Sequence, residues 1–302
     1  MRFSIVITCY NQADFIRDAV QSAISQRFAD REIIVVDDGS TDGSVDILTT
    51  YGCSIRFIQL PRNGGAIAAR NYGAAAASGE YIVFLDGDDA LMPWALDVYA
   101  RMIAERAPIL ILAKHTSVER SIPPITPQCE PTAINAVTYD VPMSKDRPAS
   151  LSASAFVVHA TTFKNAGCWT PGIFHLDLQD LVTKLGYAGP MTLICSPATV
   201  FYRIHSRNSI HSVPPFIASL YRLVEKETTG QYPGGSQHRF ERRAWLGGLS
   251  FFWVKRALRA GLYRDAMKLA ARSSPWIAAG AVRRAVTWLA GRRPVETITI
   301  DV

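Results

Sequence analysis

The sequence lacks paired cysteines, long apolar runs and a recognisable signal peptide. Its 302 residues include five cysteines, which lie far apart without paired spacing, so neither a disulfide framework nor a cysteine-based zinc site is expected. It lacks any run of about 18 uncharged apolar residues, the least that a membrane-spanning helix needs. The first apolar stretch soon meets Asn11 and Asp14, too early for a signal peptide. These absences favour a protein of the reducing cytoplasm.

Acidic residues are scarce in the C-terminal part of the chain, which makes that part strongly basic. Residues 222–302 contain 15 Lys and Arg against 6 Asp and Glu, a net charge of +9, whereas the whole chain carries +6. A basic tail suits an anionic membrane surface, nucleic acid or an acidic substrate. Charge alone does not choose among these partners.

The first hundred residues alternate short β-branched runs with amphipathic segments of helical spacing. Strands are predicted at 4–8, 33–37, 55–59 and 81–85. This alternation predicts an α/β fold with a mostly parallel central sheet flanked by helices. The proline-rich stretch 119–150 has no clear period, and we interpret it as a long irregular segment.

The chain is predicted to form a main domain, 1–213, and a basic helical C-terminal extension, 214–302. The main domain divides into an N-terminal half, 1–115, and a second half, 150–213, and it ends at the Pro214-Pro215 pair. Further elements predicted from the pattern are strands at 156–159 and 199–205 and helices at 178–185, 245–262, 264–272 and 276–289. The apolar positions of the extension suit either packing on the main domain or contact with a membrane surface.

Two short polar motifs come directly after predicted strands. Thr8, Tyr10 and Asn11 follow the first strand, and the second strand ends at Asp37 and Asp38 before a Gly turn. Open parallel sheets bind ligands at the carboxyl ends of their strands, where Tyr10 could stack on a base and a carboxylate could accept the imide N–H of uracil or thymine. Each motif alone is also typical of a helix cap.

The fourth predicted strand ends in three acids within four residues, Asp86, Asp88 and Asp89. Such crowding of negative charge is costly without a cation. Mg²⁺ is commonly shared between one or two carboxylates and substrate phosphates, so a metal ion with a bound diphosphate explains the cluster. A solvated acidic turn is the alternative.

Together these motifs resemble glycosyltransferase family 2, whose members have the Rossmann-like GT-A fold. The resemblance covers residues 3–89 and rests on the segments 4–11, 37–40, 62–65, 69–73 and 86–89. It implies a divalent ion, Mn²⁺ or Mg²⁺, on Asp88. It also implies a nucleotide-binding set that consists of Thr8, Tyr10, Asn11, Asp38, Arg70 and Asp86.

Downstream of these segments the resemblance is looser. The family's Glu-Asp pair, which supplies the catalytic base, is not intact, and the candidates Asp177 and Asp180 both lack the Glu. Asp177 is preferred because its spacing to Lys184 is closer to the family pattern, and Asp180 is the alternative. Whichever of the two is not the base fits a helix-start acid stabilised by the helix dipole.

The segment from Tyr202 to Asn208 resembles a family strand and loop that returns over the diphosphate. His205 is a candidate metal ligand beside Asp88, with Arg203 or Arg207 near phosphate charge. A histidine in a strand is also typical of a satisfied structural position. The combination with Arg and Asn after a strand favours the functional interpretation.

The resemblance implies an inverting enzyme that moves one sugar from a nucleotide diphosphate sugar, preferably UDP-linked, to a hydroxyl of a glycan or glycolipid acceptor. Bacterial cell-surface glycan synthesis in the cytoplasm fits by analogy, with the basic helices in peripheral contact with the inner face of the membrane. Nucleic acid is not an expected partner. A processive synthase would need membrane spans and a Gln-x-x-Arg-Trp segment, and a pyrophosphorylase would need a Gly-rich loop after the first strand. A non-catalytic nucleotide- or glycan-binding relative stays open, because the Glu is missing.

Overall fold

The computed structural model describes residues 1–119, 121–123, 130–140, 153–173, 175–206, 208, 213–289 and 296–301. Its strands are β1 (Phe3–Cys9), β2 (Arg31–Asp37), β3 (Arg56–Gln59), β4 (Tyr81–Asp86), β5 (Ala90–Leu91), β6 (Leu110–Ala113), β7 (His115–Glu119), β8 (Ala133–Tyr139), β9 (Phe156–His159), β10 (Met191–Ser196), β11 (Val200–Ile204) and β12 (Glu296–Asp301). Its helices are α1 (Ile16–Ile24), α2 (Ser44–Thr49), α3 (Ala66–Ala76), α4 (Ala95–Arg106), α5 (Ala160–Asn165), α6 (Asp177–Leu185), α7 (Pro214–Thr228), α8 (Arg239–Arg259) and α9 (Tyr263–Leu289). A nine-stranded sheet has the order β12-β8-β10-β6-β9-β4-β1-β2-β3, and β5, β11 and β7 form a second sheet.

Strands β1 to β4 form a parallel half of the main sheet, as predicted. β1 lies between β2 and β4, and β2 also pairs with β3. The apolar residues of β1 and β4 are buried throughout, as expected for strands covered on both faces. In the register Thr8 pairs with Asp86 and Cys9 with Asp37, so the polar residues that follow these strands meet at one edge.

The other half of the sheet is mixed, and the sequence analysis predicted only β9 there and missed four strands, β6, β8, β10 and β12. β9 lies antiparallel between β4 and β6, and β10 pairs in parallel with β6. β8 lies within the stretch interpreted as irregular; its alternating Ile134 and Ala136 are buried, but the surrounding prolines obscured the period. β12 pairs antiparallel with β8, so the C-terminal extension is not helical throughout.

Helix α3 packs tightly on the parallel strands. A Cβ at Gly73 would lie 2.3 Å from Cγ1 of Val6 in β1, so only glycine allows this approach. The close packing brings Arg70, which lies one turn earlier on α3, to the carboxyl edge of the sheet.

The last long helix differs from the prediction of two helices at 264–272 and 276–289. α9 is continuous through Pro275. A proline leaves the carbonyl four residues earlier without its helical donor, and here the carbonyl of Ala271 accepts a hydrogen bond from the Ser274 hydroxyl at 3.3 Å. This local replacement explains how the helix continues where the sequence predicted a break.

Helices α8 and α9 pack on each other and on the segment that precedes α6. A Cβ at Gly247 would lie 1.8 Å from the carbonyl oxygen of Trp276, so the helices cross in close contact. Trp253 and Trp276 share a buried cluster with Ile173 and Leu176. One face of α8 is therefore core, while none of the helices in the described ranges is long and apolar enough to cross a membrane.

Candidate active site

The loops after β1 and β2 hold each other at the carboxyl edge of the sheet. Asn11 has a φ of 51°; its backbone N–H donates to the Ser40 hydroxyl at 2.9 Å, and its side-chain oxygen accepts a backbone N–H of the second loop at 2.8 Å. Asp38 is buried, and its two oxygens accept the N–H groups of Gly64 and Gly65 at 2.8 and 2.7 Å. Asn11 and Asp38 thus fix the loops that border the cleft at the carboxyl ends of the strands.

Thr8 and Tyr10 lie at the same edge with different exposure. The Tyr10 side chain is 45% exposed, so its ring is available to a planar ligand. Thr8 is buried, and its hydroxyl donates to Asp86 at 3.4 Å. The edge therefore combines an exposed aromatic ring with a buried hydroxyl and a carboxylate.

Arg70 connects the end of β4 with the start of α6. Its guanidinium donates to Asp86 at the end of β4 and to Asp177 at the start of α6, both at 2.7 Å. It is buried and lies over the ring of Trp169. Burial alone would lower the pKa of Arg70, but the charges and hydrogen bonds of Asp86 and Asp177 outweigh it and raise the pKa. The arginine is thus a permanent cation between two carboxylates of the cleft.

Asp180 lies one turn beyond Asp177 but in a different environment. Its side chain is fully buried. It accepts hydrogen bonds from the hydroxyls of Thr170 and Tyr232 at 2.5 and 2.7 Å and from the ammonium group of Lys226 at 2.5 Å. The geometry brings Asp177 to the acids at the strand end, and it ties Asp180 to α7 and the following loop.

The other two acids of the cluster are held by segments from far along the chain. Oδ2 of Asp88 lies 2.9 Å from Nε2 of His205, whose ring stacks on Phe15. Asp89 accepts hydrogen bonds from the Ser154 hydroxyl at 2.5 Å and from a backbone N–H of β11 at 2.9 Å. Burial and neighbouring carboxylates raise the pKa of Asp88, and they raise the pKa of Asp89 well above its ordinary value.

The pair of Asp88 and His205 has the chemistry of an incomplete metal site. The side chains are 16% and 13% exposed, so they are reachable from the cleft. A cation here would relieve the cost of ionising Asp88 close to Asp86. Across the part of the chain that the structure describes, no three His, Cys, Asp or Glu side chains are arranged to hold an ion. The pair fits an ion that takes its remaining ligands from phosphate or water, as Mg²⁺ commonly does.

Arg203 contacts both the acidic turn after β4 and helix α1, since its Nε donates to the carbonyl oxygen of Asp88 at 2.8 Å. Its side chain is 3% exposed, donates to the Asp18 carboxylate at 2.7 Å and lies over the ring of Phe15. It therefore braces α1 against β11. Arg207 lies outside the described residues.

Sequence reasoning missed several residues that support the site. Ser154 accepts the N–H of Asp86 at 3.0 Å and donates to Asp89. Lys226 and Tyr232 enclose Asp180. No local pattern marks these three residues, because their partners lie 46 or more positions away in the sequence.

Comparison with known proteins identifies the class to which this fold and site belong. The structure of S. aureus TarS 1-349 in complex with UDP-GlcNAc superimposes with a TM-score of 0.66 at 21% sequence identity, over 82% of this chain and 71% of that one. This likeness shows the fold, and the chain is a GT-A protein with an α/β architecture and C-terminal helices.

The sequence comparisons match the N-terminal part of the chain to one family. The model for Glycosyl transferase family 2 matches residues 4–142. The cholesterol galactosyltransferase of Borreliella burgdorferi is 36% identical over 112 residues, which are 36% of this chain and 31% of that protein. The putative teichuronic acid biosynthesis glycosyltransferase TuaG of Bacillus subtilis is 38% identical over 107 residues, 34% of this chain and 42% of that protein. The matches thus span less than half of these relatives, and they place the likeness to glycosyltransferase family 2 in residues 4–142 of this chain.

Proposed function

We propose that this protein is an inverting glycosyltransferase that transfers a single sugar from a UDP-linked donor to an acceptor hydroxyl. The observation that carries the proposal is the position of Arg70. Its guanidinium joins Asp86, at the nucleotide edge of the sheet, to Asp177, on the acceptor side, at 2.7 Å each. A donor bound at Asp86 and an acceptor bound at Asp177 would therefore lie on either side of the Arg70 guanidinium.

Asp177 is the proposed catalytic base, and Asp180 is a structural residue. The Asp177 side chain is 14% exposed in the cleft, whereas that of Asp180 is 1% exposed and surrounded by donors. A base must reach the proton that it removes, and only Asp177 meets this requirement. In the reaction Asp177 takes the proton of the attacking acceptor hydroxyl, and one displacement inverts the anomeric carbon.

Asp88 and His205 would hold the divalent ion, Mn²⁺ or Mg²⁺. When bound, the ion supplies positive charge against the diphosphate that leaves. Thr8, Tyr10, Asn11 and Asp38 form or shape the nucleotide side of the cleft, with the exposed Tyr10 ring as the surface for the base. These residue roles rest on the geometry described above together with the family resemblance.

The acceptor is proposed to be a glycan or glycolipid of the bacterial cell surface, reached from the cytoplasm at the inner face of the membrane. Support comes from relatives: TuaG is named for teichuronic acid biosynthesis, and another match, of Staphylococcus epidermidis, is a teichoic acid poly(glycerol phosphate) polymerase. The UDP preference is supported by TarS, whose structures hold UDP-GlcNAc or UDP.

The proposal is tested in two stages. UDP-, GDP- and dTDP-sugars are first screened by thermal shift with and without Mn²⁺, because a ligand at 100 times its Kd stabilises the folded state by about 2.7 kcal/mol. Release of nucleoside diphosphate is then followed with a pool of lipid-linked glycan acceptors, with Asp177→Asn as the matched control. If the unaltered protein and Asp177→Asn both bind nucleotide and neither releases nucleoside diphosphate when the acceptor is added, the protein is a non-catalytic binding relative instead.

A further inference from the structure

A cavity of about 830 Å³ lies between α8 and α9, the two long helices of the basic extension. It is separate from the cleft at the strand ends, because its lining comes from the two helices and from Val213. Its lining includes Gly248 and Gly280, and a Cβ at Gly280 would lie 2.7 Å from the carbonyl oxygen of Ala244. The close crossing at Gly247 thus leaves an open groove beside it.

The lining of the groove is cationic and aromatic. Five cations line it, namely Lys255, Arg256, Arg259, Arg283 and Arg284. Among the described residues that line it, there is no aspartate or glutamate. Trp245, Phe251 and Phe252 supply the aromatic surface. The groove is therefore complementary to a ligand that is both anionic and apolar.

Part of the apolar surface of α8 is exposed. Phe251 is 43% and Phe252 is 41% exposed, and Leu258 on the same helix is 43% exposed. Trp253, which follows Phe252 in the sequence, is buried in the core with residues of α7. The apolar surface of α8 is thus wider than the face that the main domain covers, and the uncovered part lies next to the cations.

Two of the cations are already paired with aromatic rings. The Lys255 ammonium lies 5.4 Å from the centre of the Phe251 ring, and the Arg256 guanidinium lies 5.4 Å from that of Trp253. Such pairs hold a positive charge directly above an apolar surface. This arrangement matches a phosphate group joined to hydrocarbon.

We propose that the groove between α8 and α9 binds the phosphate headgroups of anionic lipids at a membrane surface, with Phe251 and Phe252 entering the headgroup region. Basic amphipathic helices with aromatic residues bind membranes in this way. The inference rests on the membrane contact in the proposed function and assigns it a site. It is independent of the transfer reaction, since lipid binding is measured without donor or acceptor.

The test is co-sedimentation of the full chain with vesicles. Mixed phosphatidylglycerol and phosphatidylcholine vesicles are compared with pure phosphatidylcholine vesicles, for the unaltered chain and for the double variant Arg259→Ala/Arg284→Ala. Each cation near an anionic surface contributes about 1 kcal/mol, so this variant is expected to bind anionic vesicles about 25-fold more weakly. The matched control is Arg264→Ala/Lys268→Ala, which removes two exposed cations of α9 outside the groove and is expected to keep most of the binding.

The outcomes separate the groove from its alternatives. Equal losses in both double variants would mean a diffuse attraction to the basic tail and would overturn the assignment, as would absence of binding to anionic vesicles. Displacement from vesicles by low concentrations of inorganic phosphate, at constant ionic strength, would instead identify a soluble phosphate as the ligand. Circular dichroism of both variants establishes that they fold, so a loss of binding cannot be mistaken for unfolding.

A second measurement reports the location directly. Trp245 lines the groove, so brominated lipids in anionic vesicles are expected to quench part of the tryptophan fluorescence. That part is expected to disappear in Trp245→Phe, which leaves the charges unchanged. Quenching that is the same with and without Trp245 would place the lipid elsewhere on the protein and refute the proposal.

Discussion

Replacement by asparagine is expected to affect different properties at the two acids of α6, the stability at Asp180 and the transfer rate at Asp177. Asp180→Asn removes a fully buried charge that accepts hydrogen bonds from Lys226, Thr170 and Tyr232. Breaking a buried ion pair from one side costs about 3–5 kcal/mol, and the amide retains one acceptor oxygen, so the lower value is expected. For a chain of this size that loss corresponds to a fall in Tm of roughly 5–10 °C.

Asp177→Asn removes a charge at the cleft, where Arg70 keeps its second partner, Asp86. The amide oxygen can still accept from the guanidinium, so the cost to folding is expected to be about 1 kcal/mol. Loss of a general base costs about 10²- to 10⁴-fold in rate, and transfer is expected to fall accordingly.

Differential scanning fluorimetry and nucleoside diphosphate release, measured on both variants below the lower Tm, distinguish the two roles. We expect Asp180→Asn to be the less stable protein and Asp177→Asn to be the less active one. If Asp180→Asn keeps its Tm but loses turnover, while Asp177→Asn turns over normally, then Asp180 is the base and the reasoning from burial is wrong.

Four further predictions follow from contacts described here. Gly247→Ala is expected to lower the Tm by several degrees, because its Cβ would meet a backbone oxygen of α9 at 1.8 Å. The matched control is Gly248→Ala, whose Cβ would lie 3.5 Å from its nearest neighbour, an arginine nitrogen. Equal Tm values for the two variants would contradict the close crossing of α8 and α9. Burial would raise the pKa of Glu32, but hydrogen bonds from two serines lower it below its ordinary value of 4.5. The unfolding free energies of the unaltered protein and Glu32→Gln are compared by urea titration. The extra stability due to Glu32 should be complete above pH 4.5 and should vanish as the pH falls through the lower pKa of the folded state. A difference in stability that grows as the pH falls would show that the pKa of Glu32 is not lowered. Tyr10→Ala is expected to weaken UDP binding in calorimetry by about 1–3 kcal/mol, the usual contribution of base stacking, with the Tm of the free protein unchanged, and unaltered affinity would remove Tyr10 from the base site. Asp88→Asn is expected to abolish the difference in UDP affinity between Mn²⁺ and EDTA, and a difference that persists would place the ion elsewhere.

The parallel half of the fold is predictable because its signals are local. The four strands were predicted within two residues of their observed ends, since β-branched runs such as that of β1 are buried on both faces and end at polar turns. β6, β8, β10 and β12 were missed because their pairing with one another depends on contacts between distant segments. α9 was divided at Pro275, and the hydroxyl that repairs the helix there is visible only in three dimensions.

The candidate site shows the same limit at the level of single residues. Asp86 and Asp88 were identifiable from the crowding of acids at a strand end. The preference for Asp177 over Asp180 rested on family spacing alone, because the sequence does not show that Arg70, 107 residues earlier, lies beside Asp177. Nor does it show that Lys226 and Tyr232 enclose Asp180. Burial and ion pairing between distant residues distinguish the two acids, and neither leaves a local pattern.

The pairing of β12 with β8 also matters for handling the protein. β12 is the outer edge strand of the nine-stranded sheet and pairs with β8, and an apolar edge strand is a template for association between chains. Shortened versions that omit residues 296–301 would leave the more apolar β8 as the edge strand and are expected to aggregate on concentration. An affinity tag is therefore better fused at the N-terminus, so that the last strand keeps its place.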